Sequence, residues 1–69
     1  MDWEEALTFC KDLLNDIDDL PERAEDFAES VREKVESIQE FVEDAELVTA
    51  RQVEALENIR AGVDKWLRR

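Results

Sequence analysis

Histidine and tyrosine are absent from this 69-residue chain, and cysteine, glycine and proline occur once each. Each scarcity removes a class of protein. With one thiol, Cys10, and no imidazole, a single chain can build neither a disulfide framework nor a thiolate or imidazole zinc site. A lone glycine cannot supply a glycine-rich phosphate loop, and Cys10 has no histidine to activate it as a nucleophile. With so few turn-forming residues, most of the chain must lie in long elements. No stretch approaches the roughly 18 apolar residues of a transmembrane helix. The opening MDWEEALTFC has neither a basic start nor an apolar run of signal length, which predicts a cytosolic protein without a membrane role.

Positive charge is also scarce. Nine basic residues stand against 20 acidic ones, giving a net charge of -11. Such a chain repels DNA, RNA and anionic lipid, so direct binding to nucleic acid or membrane is disfavoured and basic partners are attracted. At this length the chain forms one domain, residues 1–69, and buries about 60 % of its unfolded surface.

What is present is a heptad-like apolar step. Asp2 is placed to cap a first helix, with Glu5 completing a capping box. Trp3, Leu7, Cys10, Leu14 and Ile17 then recur at steps of four and three, with Ala6, Leu13 and Leu20 beside them. Pro21 pushes Leu20 out of the helical region and suits the first turn of a second helix, with Asp19 and Glu22 as a second box-like pair. In that helix Ala24, Ala28, Val31, Val35, Ile38, Val42 and Ala45 form the seam. A third helix opens at Thr49, with Gln52 reciprocal to it and Val48 and Val53 placed as a hydrophobic staple. Leu56, Ile59, Val63 and Trp66 continue its apolar face, and Lys65, Arg68 and Arg69 complement the dipole of its last turn. The expectation is an all-α, up-down-up three-helix bundle with helices over about 3–18, 21–44 and 50–67.

On the second helix Glu22, Asp26, Glu29, Glu33, Glu36, Glu40 and Glu43 follow the same four-three step on the face away from the seam. They make a line of seven carboxylates about 31 Å long. If signs were drawn at random from this composition, seven acids in a row would arise with a chance of about 0.07, so the composition itself is the anomaly. Residues 1–46 hold 17 acids and 4 bases, and residues 47–69 hold 3 acids and 5 bases. The acidic part is predicted to face a basic protein, including one that binds nucleic acid. Glu5, Asp12 and Asp19 on the first helix would add a second acidic line. Duplex DNA carries one charge per ~1.7 Å, so the two lines together would imitate it only in part.

Other residues carry less. Asp16, Asp18, Asp19 and Glu22 crowd oxygens near one turn, but DIDDLPERAED lacks the glycine and ligand spacing of a calcium loop, so no metal site is assigned. Carboxylate pairs abound without the enclosed cleft that acid–base chemistry needs, and neither an enzyme nor a cofactor is expected. Cys10 falls on the apolar seam and reads as a buried structural thiol. Phe9, Phe27 and Phe41 border the seams and form a candidate apolar interface for a homodimer or a partner. Trp66 in DKWLRR continues the core register, so a packed indole is favoured over a nucleic-acid contact. Gly62 in mid-helix calls for a close helix–helix approach. The reading is therefore a non-enzymatic interaction module or small inhibitor presenting an acidic face. The alternative is a self-associating structural protein whose charge serves solubility.

Overall fold

A computed structural model describes residues 1–68 and shows three α-helices: α1 (Trp3–Asp18), α2 (Glu25–Ala45) and α3 (Ala50–Leu67). They form the expected up-down-up bundle, 35 × 19 × 17 Å, whose long dimension is close to the ~32 Å of α2. Arg69 of the predicted basic last turn lies outside the described residues.

The caps explain the boundaries. Asp2 accepts a 2.8 Å hydrogen bond from the Glu5 backbone N–H, which starts α1; the reciprocal bond, from the Asp2 backbone N–H to the Glu5 carboxylate, is not made. The Thr49 hydroxyl accepts from the Gln52 N–H while the Gln52 side chain accepts from the Thr49 N–H, so α3 opens with the complete box. Glu46 and Arg68 end α2 and α3 in the left-handed region, at φ 53° and 58°. Their backbone N–H groups donate to Val42 and Asp64, as in a helix-terminating αL turn.

The expected start of the second helix needs correction. Pro21 is extended (φ -66°, ψ 156°), Glu22–Ala24 form a 3₁₀ turn, and α2 proper begins at Glu25. Asp19 belongs to the end of α1, where its N–H donates to the Asp16 and Ile17 carbonyls, so the Asp19–Glu22 capping pair does not form.

The buried seam of α1 is Ala6, Cys10, Leu13 and Ile17. Trp3, Leu7 and Leu14, predicted at its centre, are half-buried, because the stripe is rotated toward its Ala6–Leu13 edge. In α2 the buried positions are Ala28, Val31, Val35 and Val42, with Ile38 half-buried and Ala45 exposed. In α3 they are Leu56, Ile59 and Val63. The α1–α2 contact is the most extensive, and its small side chains let two backbones approach closely. α3 stands further off. The ring of Phe27 fills the gap, with its Cζ only 3.0 Å from where a β-carbon on Gly62 would sit. The close helix–helix approach expected at Gly62 is therefore not what the glycine serves: it makes room for an aromatic ring across a wider gap.

Candidate interaction site on the acidic face

α2 buries its valines on one side and therefore turns the residues three and four apart on the other side to solvent. Asp26, Glu29, Glu33, Glu36, Glu40 and Glu43 are all exposed along that outer face. They span about 26 Å at the helical rise, roughly one charge per 5 Å. Glu22 is exposed too, but it sits in the 3₁₀ turn. With three residues per turn there rather than 3.6, its direction shifts by roughly 60° from the line.

None of these seven side chains forms an ion pair or a hydrogen bond with a described residue. The cations that do pair go elsewhere. Arg32 reaches Asp18 at 2.7 Å across the α1–α2 seam. Arg60 holds Asp16 on α1 and, at 3.0 Å, Asp64 one turn along α3. Pairing of the third helix's arginines with acidic neighbours thus accounts for Asp16 and Asp64, and for none of the α2 line.

The second acidic line does not run beside the first. Asp12 and Asp19 lie four residues before and three after Asp16, so all three share a face of α1. Asp16 faces α3 through Arg60, which carries Asp12 and Asp19 to the α3-facing flank. The α1 residue that does meet α2 is Asp18. The α2 line therefore runs without the expected companion, with a spacing nearer that of one nucleic-acid strand than of a duplex.

The crowded turn also resolves into separate roles. Asp16 and Asp18 diverge toward cations on different helices, and Asp19 stands exposed at the end of α1. Among the described residues no three acidic, cysteine or histidine side chains are grouped to hold a metal ion. Cys10 is fully buried, and burial pushes its thiol pKa up from the ordinary 9.0, the opposite of nucleophile activation.

The three phenylalanines do not make one strip. Phe27 lies against Trp66, with ring centroids 6.3 Å apart, and packs on the core together with Phe9. Phe41 alone is largely exposed, at 46 %. Trp66 is half-buried, with the Arg23 guanidinium 5.7 Å from its ring centroid, a cation–π contact invisible in the local sequence because 43 residues separate the pair. Also unforeseen were two further exposed apolar side chains, Met1 and Leu47. Both fall outside the helical periodicity, which is the only signal that could have marked them.

Among the described residues no helix is long and apolar enough to cross a membrane. No family model, curated protein or solved structure matches the chain.

Proposed function

We propose that this protein is a non-enzymatic interaction module, or small inhibitor, that offers the outer face of α2 to a basic protein in a cytosol. The observation that carries the reading is the line Asp26–Glu43: six exposed carboxylates on one helix face, none of them in an ion pair among the described residues. Like charges three and four residues apart cost a few tenths of a kcal/mol per pair, so the line weakens the helix that carries it. Complementary charge on a partner would offset that cost and speed encounter. The spacing suits a protein that grips a single phosphate strand, making the face a partial nucleic-acid mimic.

Affinity capture from cell lysate, washed in parallel at low and high salt, tests this. Basic proteins should be retained at low salt, released at high salt, and lost when Glu29, Glu33 and Glu36 are all changed to lysine. Retention unaffected by salt and by those reversals would refute it.

The exposure of Phe41 favours a second reading, a self-associating structural protein. Its mark would be a sedimentation mass that rises with concentration, resists salt and falls on Phe41→Glu.

A further inference from the structure

The three most exposed large hydrophobic side chains, Met1 (49 %), Phe41 (46 %) and Leu47 (48 %), fall at one end of the bundle. The topology puts them there. Met1 precedes α1, Phe41 is near the end of the antiparallel α2, and Leu47 is in the link to α3. At the other end Leu20 and Phe27 pack on the core, and Trp66 lies between Phe27 and Arg23. Exposed apolar surface is thus concentrated at the end where the carboxylate line terminates, with Phe41 one turn from Asp44 and about 100° around α2 from Glu40, on the flank it shares with Lys34.

Charge decides between occupants. A second copy would bring up another chain of net charge -11, whereas a cationic partner is attracted. We propose that the α2 line and this apolar end are adjoining parts of a docking surface for a cationic amphipathic helix of a partner protein, which crosses α2 obliquely from the line to Phe41. The partner's basic side chains lie along Asp26–Glu43, and a large apolar side chain near one end of its helix seats against Phe41 and Leu47. The ~26 Å line matches a partner helix of about 17 residues at 1.5 Å each. The proposal rests on the reading of α2 as a partner-facing surface and adds the apolar anchor, which supplies affinity that salt does not screen. Arg51, exposed in the first turn of α3, borders the same end and disfavours basic groups there, which leaves that position to the apolar anchor.

Two dye-labelled synthetic helical peptides of 18 residues separate the parts. Both carry lysine and arginine at i, i+3, i+4 and i+7 along one face; one ends in leucine and phenylalanine, the other in serine and glutamine. Fluorescence anisotropy should show the anchored peptide binding about tenfold more tightly, the order expected for burying one large apolar side chain. The ratio should persist in 0.5 M salt while both affinities fall, and it should vanish in Phe41→Ser/Leu47→Ser. Both positions are exposed, so that variant should keep the helical circular dichroism of the parent. Equal affinities for the two peptides, or a ratio untouched by the double substitution, would overturn the anchor and leave the acidic-face reading standing. Failure of both peptides to bind would sink both. Salt-resistant dimerisation abolished by the double substitution would assign the apolar end to a second copy and overturn the proposal.

Discussion

α2 and α3 are neighbours of similar length in one bundle, and their outer faces obey opposite rules. α3 carries mixed charge, opens with a complete capping box and uses Arg60 to tie itself to α1 and to its own next turn. α2 has no side-chain cap at its start and a run of carboxylates along its exposed face that make no ion pair among the described residues. Two helices sharing a core do not need the same surface, so the acidity of α2 is not a requirement of the fold. One helix is dressed for stability and the other is not.

The largest effect that should sharpen this contrast is in the core beneath α3. Leu56→Ala should lower stability by about 2–5 kcal/mol in urea denaturation, since Leu56 is fully buried and α3 makes fewer close approaches than α1 and α2. A loss below 1 kcal/mol would mean that α3 is not held by its core face. Next, Arg60→Met should cost about 1–3 kcal/mol, because it breaks a largely buried charge pair between α1 and α3, with side chains 23 % and 13 % exposed. Insensitivity of the thermal midpoint would show that α3 needs no ionic tie.

The third prediction has the opposite sign. Glu33→Lys/Glu40→Lys converts four of the five like-charge steps from Asp26 to Glu43 into opposite-charge steps. It should stabilise the fold by about 1–2 kcal/mol at low salt, with the gain fading in 1 M salt. Destabilisation would mean that the acidic face serves the fold after all. Smallest, Glu46→Gly relieves a left-handed residue at the end of α2 and should add up to about 1 kcal/mol. Glu46→Gln, which removes only the charge, should add less; equal gains would assign the effect to repulsion instead of backbone strain.

The architecture was largely legible in the sequence. Thr49 with Gln52 marked the start of α3, and the valine and alanine steps marked the inner face of α2, because capping and periodicity are local. The 3₁₀ turn at Glu22–Ala24 was not, since proline permits both a first α-turn and an extended lead-in, and packing of Ala24 into the core chose the latter. The acidic line was visible as spacing, but that the described cations pair elsewhere was not. Which carboxylates Arg32 and Arg60 reach depends on how the helices bring together residues 14 and 44 apart in sequence. The same limit placed Asp12 and Asp19 beside the α2 line, when the α1–α3 contact in fact carries them to another flank.

The most direct test of the central claim compares equal changes of charge on the two helices. Glu33→Lys/Glu36→Lys on α2 and Glu54→Lys/Glu57→Lys on α3 alter the net charge identically, and all four positions are exposed. Affinity for a basic partner recovered by capture would be measured for both variants across a salt series. The account predicts that the α2 pair abolishes binding while the α3 pair weakens it only slightly. Equal loss in both would show that the partner responds to net charge alone, and that the face of α2 is not a site.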